Sequence, residues 1–398
     1  MMYIYIITGL LSGLCRAIPS LRDVDPDVNR NVSQLITSKG YPFERHPVET
    51  SDGYILGLQR IPSRQIGPKP APVVLLQHGL LSCSACWVEN SAKQSLGFML
   101  ADQGMDVWLG NSRGNTYSKG HKTMKTTDPK YWEFTWDEMA KYDLPAVVDY
   151  ILKTTKARYI YYAGHSQGTE VVFAELGRNT TLASKIKHFF ALAPVAHLGS
   201  VTGPFKSLAP YMDDIALFYA LFGKDGEFLP STELIRVLGT EFCGKFIGSI
   251  VCENFLFFLS GYDSKELNVT RIPVYVHEHP AGTSVKNMLH YSQSVLSGRF
   301  QMFDYGSPRA NIDRYNQTTP PLYDVSKMKN NVTLYTGGND ILADPTDVKY
   351  LLKTLPNIYR HVHISIYEHL DFIWAIEANR QVYDDIIDTI LHYENKKQ

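Results

Sequence analysis

The chain has almost no net charge. Its 39 Lys and Arg stand against 40 Asp and Glu, leaving −1 with histidine neutral over 398 residues. No long run of one sign disturbs that balance, so neither a nucleic-acid surface nor a polybasic membrane patch is indicated. Internal repeats and low-complexity tracts are missing, which argues against a solenoid or a long disordered linker. Long apolar runs are missing too. Tyr3 to Cys15 is apolar but shorter than the roughly 20 residues that span a bilayer. Cysteine is scarce at five residues. Cys83 and Cys86 form one Cys-x-x-Cys pair with no second pair to complete four ligands, so a zinc site is not expected. They read as small, partly buried residues, bridged or unbridged.

The short apolar run ends in Leu14-Cys15-Arg16-Ala17, the pattern of a secretory signal cleaved near Ala17, although its first residues lack Lys and Arg. The rival reading is a buried N-terminal strand. Five sequons fit the secretory route, at Asn31, Asn179, Asn268, Asn316 and Asn331. Past the signal, Cys83, Cys86, Cys243 and Cys252 remain, in a compartment that permits disulfides. With 44% hydrophobic residues the chain has ample material for a large core, as one domain with an insertion or as two domains.

Buried strands alternate with helices along much of the chain, which predicts a mostly parallel α/β sheet. Asn31 to Lys39 reads as a short helix. Phe43 to Ile61 reads as a hairpin around Ser51-Asp52-Gly53. Strands are expected at Pro72–Gln77, Met105–Leu109, from Tyr159 up to the Gly-x-Ser-x-Gly turn, His188–Ala193, Val332–Thr336 and His361–Ile366. Helices are expected at Trp136–Lys153, Pro345–Leu355 and Phe372–Tyr393. The rhythm fails between about Gly199 and Asp324, which reads as an insertion forming a cap. The expected division is a signal over 1–17, a first core part over 18–198, the cap over 199–324 and a second core part over 325–398. Within the cap, one continuous helix would hold Cys243 and Cys252 about 13 Å apart along its axis. A disulfide tolerates roughly 7 Å between Cα atoms. Any bridge between them therefore requires a break, with Gly244 or Gly248 the place for it. The apolar stretch Asn254–Leu259 either packs on the core or rests on lipid when a lid opens.

The chemistry is carried by Tyr161-Tyr162-Ala163-Gly164-His165-Ser166-Gln167-Gly168. A Gly-x-Ser-x-Gly motif is weak alone, but here a strand precedes it and a helix follows, the context of a nucleophile elbow. A serine nucleophile needs a base, and the base needs an orienting acid; in elbow folds they follow in the order Ser, acid, His. Asp340 lies just past the strand Val332–Thr336, at the edge where α/β sheets bind ligands. Its rival Asp344 precedes Pro345 and reads as a helix N-cap. His369 follows the next strand on the same edge, while His361 and His363 alternate within that strand and read as structural. Asp371 reads as the N-cap of the last helix. The expected oxyanion donors are the backbone N–H groups of Leu80 and Gln167, with His78 as packing.

With these residues in place the chain resembles the animal acid lipases, the group of gastric and lysosomal acid lipase. The resemblance runs from about Asn29 to Tyr393. It rests on Leu76-Gln77-His78-Gly79-Leu80-Leu81, Gly110-Asn111-Ser112-Arg113-Gly114-Asn115, Gly164-His165-Ser166-Gln167-Gly168, His279-Pro280-Ala281-Gly282-Thr283-Ser284, Gly338-Asn339-Asp340 and His369-Leu370-Asp371-Phe372. The family's nucleophile falls on Ser166, its acid on Asp340, its base on His369 and its oxyanion donors on Leu80 and Gln167. Its cap disulfide falls on Cys243 and Cys252, and a further cap cysteine of some members is Ser260 here. Cys83 and Cys86 are not part of that pattern. The resemblance implies an α/β-hydrolase fold with a mobile lid and hydrolysis of lipid esters at acidic pH, in the gut lumen or the lysosome. It implies no metal and no organic cofactor. Two rivals differ in kind: a soluble carboxylesterase with the same triad, and a catalytically silent hydrolase-fold binding protein.

Overall fold

A computed structural model describes residues 25–64, 70–214, 226–229 and 266–395. The expected signal, Cys243, Cys252 and the apolar stretch at 254–259 lie outside the described residues. The predicted hairpin forms as β1 (Glu44–Glu49) and β2 (Tyr54–Ile61), antiparallel from Glu44 opposite Arg60 to Glu49 opposite Ile55. The remaining main strands are β3 (Val73–Gln77), β4 (Asp106–Leu109), β5 (Ile160–His165), β6 (Ile186–Leu192), β7 (Val332–Gly337) and β8 (Ile358–Ile364). They lie side by side in the order β1-β2-β4-β3-β5-β6-β7-β8, with the two-residue strand Gly120–His121 beside β2. β2 meets β4 antiparallel, and every pair from β4 to β8 is parallel. The central strands are apolar on both faces because helices cover both faces; all six residues of β5 are buried.

Most elements match their predicted bounds to within a residue or two, β6 starting at Ile186 rather than His188; three depart for a physical reason. β8 begins at Ile358 and stops at Ile364, because its pairing with β7 runs from Val332 opposite Ile358 to Gly337 opposite Ile364. The helix predicted at Trp136–Lys153 extends to Thr155 and contains a widened turn at Met139–Asp143. Pro145 follows that turn; it has no N–H to donate backwards, and its ring crowds the carbonyl four residues earlier, so the helix loosens there. The single helix predicted at Phe372–Tyr393 is interrupted. Asp371–Trp374 forms a first turn, then Ala375 pairs with Leu267 and Ile376 N–H donates to Glu266 O (2.8 Å). The helix resumes through Asn379–Tyr383 into Asp384–Asn395. An isolated bridge from Glu266 and Leu267, in the interval between β6 and β7, has taken the Ile376 N–H that a continuous helix would use.

Among the described residues of that interval, helices lie at Gly203–Leu208, Ile272–Glu278, Val285–Ser297 and Pro308–Tyr315. Glu227–Phe228 pairs with Thr283–Ser284, apart from the main sheet. No helix among the described residues is long and apolar enough to cross a membrane.

The loop after β4 is anchored by a buried cation. Arg113 is 1% exposed, donates to both Asp52 oxygens (2.7 and 3.0 Å) and to Asp143 (2.6 and 2.9 Å), and lies 4.0 Å over the Tyr54 ring. Burial raises the Asp143 carboxyl above its ordinary range, and Arg113 opposes that shift. Arg113→Met should strand Asp143 and cost about 3–5 kcal/mol, the usual penalty for breaking a buried pair. Because the raised carboxyl is tolerated once protonated, urea denaturation should show a smaller deficit at acidic than at neutral pH.

Candidate active site

The carboxyl ends of the parallel strands share one edge, and the candidate residues converge there. β5 ends at His165, and the helix Gln167–Leu176 begins at once. Ser166 between them has φ 54° and ψ −119°, a left-handed region that side chains rarely adopt. Neighbours hold it there. Its N–H donates to Leu192 O (3.0 Å), and its carbonyl accepts from Thr169 N (2.8 Å) and Thr169 Oγ1 (2.7 Å). Gly168 is required by close approach: a Cβ there would lie 2.4 Å from Gln77 O and 2.9 Å from His78 O. The elbow helix thus packs directly on the backbone that ends β3.

The structure brings together Ser166, His369 and Asp340. His369 Nε2 lies 2.8 Å from Ser166 Oγ, and His369 Nδ1 lies 3.0 Å from each Asp340 oxygen. Asp340 Oδ1 also accepts from Leu342 N (2.9 Å) and Ala343 N (2.8 Å), which fixes the carboxylate plane. All three side chains are buried, with Ser166 the most accessible at 9%. The arrangement can move a proton from the serine hydroxyl to the imidazole while the carboxylate holds the ring's tautomer.

Two further histidines frame the site and stay neutral. His165 Nε2–H donates to His369 O (2.8 Å), and burial, with the neighbouring His369, pushes its pKa down to about 3. His78 is more than the packing residue expected. Its Nδ1–H donates to Gly79 O (2.7 Å), and its Nε2 accepts from Ser112 N (3.0 Å) and Asn115 Nδ2 (3.1 Å). That pattern requires an uncharged ring, and burial lowers its pKa to about 4. His78 therefore ties the Leu80 loop to the Gly110–Asn115 loop. Among the described residues, the Leu80 and Gln167 N–H groups donate to no backbone or side-chain acceptor.

The other candidates fall into structural places. Asp344 caps the helix Pro345–Thr354 by accepting from Thr346 N (2.7 Å). Asp371 is the first helical residue rather than the N-cap, because its carboxylate turns back to accept Glu368 N–H (2.7 Å). His361 and His363 both meet Thr336 Oγ1, at 2.8 and 3.1 Å. Cys83 and Cys86 are buried outright, not partly, and their thiols are unbridged. Asn31, Asn316 and Asn331 are exposed; Asn179 and Asn268 are half-buried and cap short helical turns. Among the described residues no cluster of three or more His, Cys, Asp or Glu could hold a metal ion.

A family model for the "partial alpha/beta-hydrolase lipase region" matches residues 32–91, and one for the "alpha/beta hydrolase fold" matches residues 72–376. The chain is 47% identical to the gastric triacylglycerol lipase of Rattus norvegicus over 394 residues, covering 97% of this chain and 98% of that one. It is 47% identical to the lysosomal acid lipase/cholesteryl ester hydrolase of Homo sapiens over 377 residues, 94% of each chain. Among solved structures, an esterase from Exiguobacterium antarcticum superposes with a TM-score of 0.52 at 9% identity, covering 87% of this chain and 99% of that one. A similarity so low in sequence speaks for the fold alone.

Gly168→Ala should drive a methyl into two strand-end carbonyls and cost about 1–3 kcal/mol in denaturant unfolding. His165 adds a pH test. Its lowered pKa means that its contribution to stability is complete above about 6.5 and is lost as pH falls toward about 3. His165→Gln, which keeps a donor for His369 O, should flatten that acid-side decline in stability.

Proposed function

This chain belongs to the acid lipase family of gastric and lysosomal lipases, and from that premise we propose that it hydrolyses lipid esters through a covalent acyl ester on Ser166. The observation that carries the proposal is the 2.8 Å approach of His369 Nε2 to Ser166 Oγ, with Asp340 behind the ring. His369 takes the hydroxyl proton as Oγ attacks the ester carbonyl. Asp340 steadies the imidazolium that forms. The Leu80 and Gln167 N–H groups receive the oxyanion, each contributing about 3–4 kcal/mol to the barrier reduction. His369 then protonates the departing alcohol. A water that gives its proton to His369 attacks the acyl-serine and releases the fatty acid.

The region 199–324 serves in this reading as a cap over the site. Its apolar stretch Asn254–Leu259 either packs on the core or meets a lipid surface when a lid opens. The ester is a triacylglycerol, leaving a diacylglycerol, or a steryl ester, leaving a sterol; the names of the relatives include both ester classes. The five sequons and the N-terminal pattern support passage through the secretory route to the cell exterior or the lysosome.

Fatty-acid release from triacylglycerol and from steryl ester emulsions, measured from about pH 4 to pH 8, tests the reading. The expected result is turnover of at least one lipid class, with Ser166→Ala reduced by about 10⁴-fold or more while remaining folded. Turnover of soluble short esters alone would favour a carboxylesterase, and near-normal turnover in Ser166→Ala would end the proposal.

A further inference from the structure

The segment Ile272–Ala281 runs beneath the loop that carries Leu80. Ala281 N–H donates to Leu81 O (2.7 Å), and Thr116 N–H donates to Ala281 O (2.9 Å), so this backbone is gripped between two loops of the site. Behind it sit two acid–histidine pairs. Glu89 Oε1 lies 3.0 Å from His279 Nε2, and Glu278 Oε1 lies 3.2 Å from His277 Nδ1. In both pairs a ring nitrogen faces a carboxylate oxygen at ion-pair distance without a well-aligned hydrogen bond. The attraction between them is therefore one of charge, at full strength only with the ring protonated.

Glu89 is completely buried, and each of its groups reaches a different part of the chain. Oε1 faces His279. Oε2 accepts from the Trp374 indole N–H (3.1 Å), and its main-chain carbonyl accepts from Arg271. Trp374 ends the helical turn that directly follows His369. Its ring stacks on Tyr275 at 4.5 Å and 7° and meets the His279 ring at 5.5 Å and 61°. A carboxylate this deep is tolerated only when paired. Its partners come from two segments, Ile272–Ala281 with Arg271 before it and the helical turn after His369.

We propose that Glu89, paired with His279, is a positioning residue for the hydrolysis assigned above. It holds the His369 loop, through Trp374, and the Leu80 loop, through the 279–281 backbone, in one relative placement. The claim rests on the hydrolase reading and adds to it a pair that the triad alone does not require.

The pair also has a pH sense. Burial works against a charged His279, but Glu89 and Glu278 outweigh it and lift the ring's pKa above the ordinary histidine value. Burial likewise pushes the Glu278 carboxyl up, yet His277, Tyr117 and His279 bring it below its ordinary value. Arg271 and Tyr275 face the pair from its own segment, and Cys83, Cys86 and His78 face it from the β3 loop. Tyr117 donates to Glu278 Oε2 (2.6 Å) from the loop after β4. A raised histidine contributes fully below about pH 6.5 and loses its contribution as pH climbs through the raised value. The clamp is therefore firm in acid and slackens on the alkaline side.

The test uses the full chain, a soluble short-chain ester and a fluorophosphonate that labels Ser166. His279→Gln and Trp374→Phe, checked for native folding by circular dichroism, should each lower kcat and the labelling rate by roughly ten- to a hundredfold at acidic pH, with KM within about twofold. His279→Gln should also lose the alkaline decline of kcat that the wild type shows. Glu89→Gln should lose more; if it does not fold, the other two variants carry the test. A kcat within about twofold of wild type in either folded variant, or an unchanged alkaline limb in His279→Gln, overturns the clamp. A wild type that fails to label on Ser166 would sink the hydrolase reading and the clamp together, whereas labelling of the wild type with unaffected variants sinks the clamp alone.

Discussion

A neutral serine hydroxyl is a poor nucleophile until a base stands within hydrogen-bond reach, and here that reach is 2.8 Å from Ser166 Oγ to His369 Nε2. The contact joins residues 203 positions apart, so nothing local secures it. It depends on the parallel sheet, which delivers β5 and β8 to the same edge, and on the elbow, which holds Ser166 at φ 54°. That backbone state costs on the order of 1–3 kcal/mol and persists because Leu192 and Thr169 over-determine it. Removing the small residue at Gly168 would disturb the serine and the end of β3 at once.

Around that contact lies a shell of buried polar groups, each with a defined protonation state. His165 and His78 are neutral because burial lowers them to about 3 and about 4. His78 uses that neutrality: a protonated Nε2 could not accept from Ser112 and Asn115. His279 goes the other way, because two carboxylates face it. The same side chain thus serves as acceptor, donor or cation according to what stands opposite its ring. Acidic conditions leave this pattern intact down to the point where His78 begins to charge.

Much of this order was legible in the chain. The strand–Gly-x-Ser-x-Gly–helix run pointed to an elbow, and the positions of Asp340 and His369 just past buried strands pointed to the same sheet edge. The hairpin at Phe43–Ile61 and the N-cap role of Asp344 were legible as well, because turn and cap chemistry are local. What escaped is set by partners far along the chain. The last helix breaks at Ala375 because Leu267 pairs with it, and no periodicity within Phe372–Tyr393 signals that. The end of β8 follows from β7, not from its own alternation. His78 read as packing because the groups its Nε2 accepts from, Ser112 N and Asn115 Nδ2, lie on a loop more than 30 positions away. His279 stood in a motif of the resemblance, but nothing signalled its pairing with Glu89: an acid and a histidine 190 positions apart become a pair only when the fold closes on them.

The central claim is that acyl transfer passes through Ser166. The most direct measurement is to mix the enzyme with a rapidly acylating ester, quench in acid within the first turnover, and map the acylated peptide by mass spectrometry. The account predicts a single acyl group on the peptide containing Ser166, absent when His369 is replaced by Ala. An acyl group on another residue, or steady product release with no acyl-enzyme at any quench time, would contradict it.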